Sequence, residues 1–232
     1  MPKMVSQIFR LSFDDLNIIV IDDNSPDGTG DIAESIKVTY PDKFEVIHRS
    51  GKLGLGTAYI AGFKRALEGG ADAIVQMDAD FSHPIEKIGE MIDSLLNHDI
   101  VIGSRYVPGG KLDDRWPLWR KWLSGFGNLY ARMILGLEIK DVTGGFKVWH
   151  RNTLEKMPLS RVRSNGYAFQ IEMNYIATRL GFRFCEIPIY FADRKWGDSK
   201  MSLRIQIEAA MRVWQIKFRY RDLKAITSRQ KY

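Results

Sequence analysis

The sequence predicts an α/β fold: a mostly parallel sheet flanked by helices. Two observations carry this. Short strand patterns at residues 17–21, 44–48, 73–77 and 100–103 alternate with helical patterns at 31–40, 57–68 and 84–96. That alternation is the mark of βαβ units and a parallel sheet. The composition, 45% hydrophobic and 27% charged, belongs to a chain that buries a core. It excludes a disordered tail or a low-complexity polymer.

Taken in order, residues 2–11 read as a helix ahead of the first strand. Residues 17–21, Asn-Ile-Ile-Val-Ile, are a continuous apolar run bounded by polar residues, the pattern of a buried strand. The 31–40 helix stops before Pro41, because the residue preceding a proline is pushed out of the helical region. Pro84 opens the 84–96 helix. After Tyr106 the rhythm breaks. Residues 107–110, Val-Pro-Gly-Gly, are a loop, 116–137 is rich in aromatic and basic residues, and 141–149 reads as a turn and a strand. A helix follows at 167–180, then a strand at 184–191 whose Pro188 marks an edge or a bulge. A charged loop at 192–201 precedes a basic helix at 202–222. Residues 1–200 therefore read as one domain, and 201–232 as a basic amphipathic helix and tail that packs on it or faces a membrane. Strand-first folds of this kind begin with a strand and its ligand loop, whereas this sequence opens on a helix.

Lys and Arg number 34 against 28 Asp and Glu, a net charge of +6. A basic surface points to an anionic partner. The single cysteine, Cys185, excludes a disulfide framework and a cysteine-based zinc site. The most apolar runs, 17–21 and 133–137, fall far short of the roughly 20 residues a membrane span needs. No signal-peptide pattern is visible. The expected location is cytoplasmic, peripheral on the cytoplasmic face of a membrane.

Candidate chemistry clusters where strands end. In open α/β sheets ligands bind beyond the carboxyl ends of strands. The first strand runs into Asp22-Asp-Asn-Ser-Pro-Asp-Gly-Thr29, whose carboxylates can accept from a base or ribose edge. Turn and cap chemistry explains the same residues. The 73–77 strand ends in Asp78-Ala-Asp80. Carboxylates on alternate positions can hold Mg²⁺ or Mn²⁺, with water and substrate phosphate completing the shell. Ser82 or His83 could join them, although His83 also reads as an ordinary loop residue. Gly51-Lys-Leu-Gly-Leu-Gly-Thr57 precedes a helix but matches no phosphate-loop fingerprint, and a tight turn is its simpler reading. Arg105 follows a strand and can point into the crevice. Arg194, Lys195 and Lys200 fill the 192–201 loop, where arginine can fork onto phosphate. Trp116, Trp119 and Trp122 lie among Arg115, Arg120 and Lys121, and Phe126 follows. Rings with a basic rim suit a lipid–water interface.

Together these blocks resemble the polyprenol- and dolichol-phosphate mannosyltransferases of the inverting family-2 glycosyltransferases, which have a GT-A fold. Gln76-Met-Asp-Ala-Asp-Phe-Ser-His-Pro84, Ile102-Gly-Ser-Arg-Tyr106, Asp141-Val-Thr-Gly-Gly-Phe146, Gly166-Tyr-Ala-Phe-Gln170 and Ser199-Lys-Met201 add to the two blocks above. The resemblance runs from Pro2 to Leu223. It implies transfer of mannose from GDP-mannose to a polyprenyl monophosphate with inversion. It implies that Ile21 and Asp23 contact the guanosine, and that Asp78, Ala79 and Asp80 bind the diphosphate and its Mg²⁺ or Mn²⁺, with Asp80 the main ligand. Arg105, Arg194 and Lys200 would grip phosphates and, with Asp80, form the catalytic set. Some relatives carry glutamine where this chain has Ser82. The family also opens with a strand and a Pro-Thr-Tyr-Asn-Glu-like nucleotide loop, which residues 1–17 do not match. The partners implied are GDP-mannose, the lipid phosphate and a membrane surface, with room for a separate membrane-anchoring subunit. No nucleic acid is expected. Two alternatives stay open: a related lipid-phosphate transferase using another nucleotide sugar of the UDP-glucose type, and an inactive truncated or partner-binding subunit.

Overall fold

The structure, a computed structural model, describes residues 1–193 and 203–226, with the backbone alone at 203–209. Helix α1 (Pro2–Ile8) leads into β1 (Ile18–Asp22), α2 (Thr29–Thr39), β2 (Phe44–His48), α3 (Leu55–Glu68) and β3 (Ala73–Gln76). Next come α4 (Ile88–Ser94), β4 (Ile100–Ser104), β5 (Lys111–Leu112), α5 (Leu118–Leu135), β6 (Lys147–His150) and α6 (Arg151–Lys156). The last elements are α7 (Tyr167–Arg179), β7 (Phe184–Pro188), β8 (Tyr190–Phe191) and α8 (Leu203–Arg219).

Strands β1 and β2 pair in parallel, Ile18 opposite Phe44 and Asp22 opposite His48. A second sheet has the order β3-β6-β4-β7. Within it β4 and β7 are parallel, while β6 is antiparallel to both neighbours. The chain enters β6 from the carboxyl ends of β3 and β4, so the 141–146 turn is brought beside those strand ends. Pro188 closes β7, an edge strand, where its missing N–H costs no ladder bond. Among the described residues β1 pairs only with β2, and β3 only with β6. Helix α3 packs on both β1 and β3. The small elements β5 and α6 are too short for periodicity to reveal. The 84–96 pattern divides into a 3₁₀ turn at Ile85–Lys87 and α4.

Side-chain alternation on β4 separates two cores. Ile100 and Ile102 join Phe63, Trp149, Phe169 and Ile176 on one face, and Val101 joins Met91, Phe146 and Val148 on the other. Helix α7 is buried from Phe169 through Ala177, as a helix wrapped on all sides must be. Helix α8 docks on it through Val213, Ile216 and Tyr220. The Tyr220 hydroxyl and Arg219 both donate to the buried Glu172 carboxylate, at 2.9 and 2.8 Å.

A polar column crosses the main core. Trp149 Nε1 donates to Gln76 Oε1 at 3.0 Å, Gln76 Nε2 to Gln170 Oε1 at 2.9 Å, and Lys147 Nζ to the same oxygen at 2.8 Å. Lys147 is fully buried, and burial pulls its ammonium down to about 7 against the opposing charge of Asp141. Below pH 7 the native state carries the cost of a buried charge. Between that value and the ordinary lysine value, about 10.4, the unfolded chain holds a proton that the native chain lacks, so stability rises with pH. Lys147→Met should therefore raise the melting temperature most at pH 6, with the gain shrinking steadily toward pH 10. Melting curves across that range test this, and a gain that does not change with pH refutes it.

Candidate active site

The carboxyl end of β3 carries two carboxylates, each tied by hydrogen bonds. Asp78 is held from two sides. Its Oδ1 accepts the Tyr59 hydroxyl at 2.6 Å, and its backbone N–H donates to His83 Nδ1 at 3.0 Å. Tyr59 comes from the second turn of α3 and stacks on Phe169, with ring centroids 5.7 Å apart. Burial, then the Asp78 charge, push its phenol well above the ordinary value, so it stays a donor. Asp80 Oδ1 accepts the Ser82 N–H at 2.9 Å and the Ser82 hydroxyl at 2.5 Å. Between them Phe81 sits at φ +66°, a conformation that costs a bulky residue on the order of 1–2 kcal/mol. The Asp80 turn offsets that cost and sends the chain back toward β3.

Arg105 leaves the end of β4 and is buried. Its Nε and Nη2 fork onto Asp141 at 2.7 Å each, and Nη2 also reaches Thr143 Oγ1 at 2.7 Å. Its backbone N–H donates to Asp141 as well. The guanidinium lies 5.2 Å from the Phe191 ring and 5.4 Å from the Tyr106 ring. Burial alone would raise the Asp141 carboxyl, but the Arg105 charge overrides it and holds the carboxyl below its ordinary range. Among the described residues Nε and Nη2 carry its side-chain hydrogen bonds.

At the end of β1, Asp22 Oδ1 accepts the Ser25 N–H at 3.3 Å and shapes the loop, and Asn24 turns it at φ +57°. Asp23 is clasped by Arg49, whose Nε lies 2.5 Å from Oδ1. The same guanidinium reaches Thr57 Oγ1 at 2.8 Å and the Gly54 carbonyl at 3.3 Å. Arg49 thus ties the 22–29 loop to the start of α3. A Cβ at Gly56 would stand 2.4 Å from the Ser164 carbonyl oxygen, and Gly54 has φ +100°. The glycines of the 51–57 block therefore serve a tight turn and a close approach between loops.

The expected site residues Ile21, Asp23, Asp78, Ala79, Asp80 and Arg105 all lie at or just beyond the carboxyl ends of β1, β3 and β4. Arg194 and Lys200 lie outside the described residues. Ser82, the doubtful metal contact, is buried and spends its hydroxyl on Asp80. Trp116 departs from its expected lipid-facing place. It is only 8% exposed, its indole N–H donates to Asp193 at 2.9 Å, and Arg120 covers its ring at 3.6 Å. The reason is tertiary: Phe191 packs edge-on against it, so the indole finds a polar and an apolar partner inside the fold. Trp119 and Trp122, by contrast, are 65% and 76% exposed, and Leu118, Phe126, Leu129 and Met133 continue the same stripe along α5. Met211, Trp214 and Phe218 form an exposed stripe on α8. The stripes are joined where Trp214 Nε1 donates to the Tyr130 hydroxyl at 3.0 Å.

Tyr59, Arg49 and Asp141 were not singled out by the sequence as holding the site. Their contacts span 19, 26 and 36 positions, and nothing local signals them. A divalent cation fits the donor set. Asp78 and Asp80 supply hard carboxylate oxygens on one turn, and no cluster of three His, Cys, Asp or Glu side chains exists among the described residues. Water and substrate phosphate would have to complete its shell.

The mixed sheet, with paired carboxylates and a buried arginine at the carboxyl ends of its strands, is that of a glycosyltransferase with the GT-A fold, as the comparisons with known proteins show. The chain belongs to glycosyl transferase family 2, whose model matches residues 1–157. It is 44% identical to undecaprenyl-phosphate mannosyltransferase of Micrococcus luteus over 211 residues, covering 90% of this chain and 86% of that one. It is 42% identical to polyprenol monophosphomannose synthase of Mycolicibacterium smegmatis over 222 residues, covering 94% and 83%. Among solved structures it is similar to Mycobacterium tuberculosis glucosyl-3-phosphoglycerate synthase in complex with Mn²⁺, UDP and glucosyl-3-phosphoglycerate, with a TM-score of 0.56. That match has 18% identity and covers 86% of this chain and 67% of the other. The same enzyme with Mg²⁺ and UDP matches with a TM-score of 0.56 at 18% identity, covering 86% and 68%. At such identity the likeness carries the fold alone.

Removing one partner of a buried ion pair strands the other, at a cost of about 3–5 kcal/mol. Asp141→Asn should destabilise the protein by that order in chemical denaturation. The double variant Arg105→Met, Asp141→Leu should recover most of the stability and no activity. A single variant as stable as wild type would show that the pair is dispensable to the fold.

Proposed function

We propose that this chain transfers mannose from GDP-mannose to a polyprenyl monophosphate with inversion. The observation that carries the reading is the likeness, over nine-tenths of the chain, to two enzymes named for mannose and a polyprenyl phosphate. The intact Asp78–Asp80 turn and the buried Arg105 support it. Ile21 and Asp23 meet the guanosine, with Asp23 kept in place by Arg49. Asp78, Ala79 and Asp80 hold the diphosphate and a Mg²⁺ or Mn²⁺ ion. Such an ion, when bound, supplies positive charge to the departing diphosphate.

The acceptor explains why no general base is needed. A phosphomonoester has a second pKa near 6 and is largely dianionic at pH 7. Its oxygen attacks the anomeric carbon of mannose from the side opposite GDP. The bond from that carbon to the β-phosphate oxygen breaks, and GDP leaves with the electron pair. Donor and acceptor are both anions, so they meet only where cationic groups offset their repulsion. Arg105 takes this role, and Arg194 and Lys200, outside the described residues, are its proposed companions.

The lipid tail is proposed to lie along the exposed stripes of α5 and α8, where Trp119, Trp122 and Phe126 meet the membrane. Lys217 on α8, exposed beside Trp214, complements an anionic lipid surface. No helix among the described residues is long and apolar enough to cross a membrane. Contact is therefore proposed to be peripheral, on the cytoplasmic face, with or without an anchoring subunit.

Two experiments test this reading. Labelled GDP-mannose and a polyprenyl phosphate should yield lipid-linked mannose with Mg²⁺ or Mn²⁺ and none with EDTA, and Asp80→Ala should lower turnover about 100-fold or more. Transfer from UDP-glucose but not GDP-mannose would overturn the donor assignment; no transfer from either would favour an inactive subunit. Separately, replacing Trp119 and Trp122 together by alanine should weaken binding to anionic vesicles about 10-fold or more in co-sedimentation. Equal binding refutes the lipid-facing role.

A further inference from the structure

The imidazole of His83 is 3% exposed and placed by three neighbours. Its ring stacks on Phe146, with centroids 5.1 Å apart and planes at 11°, and meets the Phe191 ring edge-on at 5.6 Å. Beside it lies Gly145, where a Cβ would come within 3.6 Å of Cε1. In that seat Nδ1 accepts the Asp78 N–H at 3.0 Å, so the lone pair on Nδ1 is committed to the backbone of the β3 turn.

We propose that His83 is a positioning residue for Asp78, closing the turn that presents the two carboxylates to the donor's metal and diphosphate. This rests on the reading of residues 78–80 given above. The bond joins residues 78 and 83 and encloses Ala79, Asp80 and the left-handed Phe81. A strained residue persists only where its surroundings over-determine it. Here the Asp80–Ser82 bonds hold one side of Phe81 and the His83–Asp78 bond holds the ends. Tyr59 fixes the Asp78 carboxylate while His83 fixes its amide, so the side chain has little freedom to turn away. Phe191 adds a second link, because the ring that meets His83 also carries the Arg105 guanidinium at 5.2 Å. One aromatic wall thus sets the carboxylate turn and the buried cation at a fixed separation. Groups that orient a metal ligand from behind commonly alter metal affinity by about 10–100-fold when lost.

The test compares His83→Asn, whose amide oxygen can accept the Asp78 N–H, with His83→Leu, which fills space and accepts nothing. Amide hydrogen exchange at Asp78 is read without metal. Mn²⁺ affinity in the presence of GDP is read by titration, and kcat and KM for GDP-mannose are read alongside. The leucine variant should lose protection at Asp78 and bind Mn²⁺ about 10-fold more weakly, with the asparagine variant near wild type in both. Equal exchange and equal affinity in all three proteins overturn the proposal, as does lost protection with unchanged Mn²⁺ affinity. If the leucine variant does not fold, His83→Ala with added imidazole replaces it: restored protection at Asp78 supports the role and no restoration overturns it. Wild-type protein that binds no Mn²⁺ with GDP overturns the metal reading of residues 78–80 instead, while Asp78 exchange still decides whether His83 holds the turn.

Discussion

The Arg105–Asp141 pair is the interaction on which the site's architecture depends. A guanidinium at the end of a buried strand cannot stand alone, because desolvation would cost several kcal/mol per ion. Asp141 answers it with two side-chain bonds and one to the backbone. Asp141 is itself fixed, since Glu186 on β7 accepts both its N–H and that of Lys140. The pair therefore binds β4, the turn before β6 and β7 into one unit. The pair leaves the guanidinium fixed in place. Preorganised charge is worth more than mobile charge in a site that excludes water.

The carboxylate turn follows the same logic with opposite sign. Asp78 and Asp80 would repel each other and an incoming diphosphate if left to solvent. Each is instead tied to a neutral donor, Tyr59 to the first and Ser82 to the second. A neutral donor orients a carboxylate without cancelling its charge. Arginine meets a carboxylate at Asp141 and at Asp23.

Helices α5 and α8 bring the exposed apolar stripes to the same molecule as these charged groups. Trp116, just before α5, is held inward by Asp193 and Phe191, while Trp119 and Trp122, in the first two turns of the helix, face outward. The inward tryptophan anchors the helix start near the arginine site. The outward ones form a surface that a monomeric protein gains nothing by exposing. A charged headgroup attached to an apolar chain matches this combination.

Much of the fold was written in local patterns. Strand β2 appears at Phe44–His48 as read, and β1, β3, β4 and α7 lie within a residue or two of their predicted places, because buried strands and long helices announce themselves by local pattern. The carboxylates and arginine at the strand ends were legible too, since chemistry at a strand's carboxyl end needs particular residue types. Three things were not. The direction of β6, the inward turn of Trp116 and the hold of Tyr59, Arg49 and His83 on the site all depend on which side chains meet across the fold. The sequence by itself determined the class of sheet and the residues offered to a ligand, because period and residue chemistry are local. Only the tertiary structure decided which side chains hold those residues in place and which rings face outward, because a charge or a ring takes its role from partners far away in the chain.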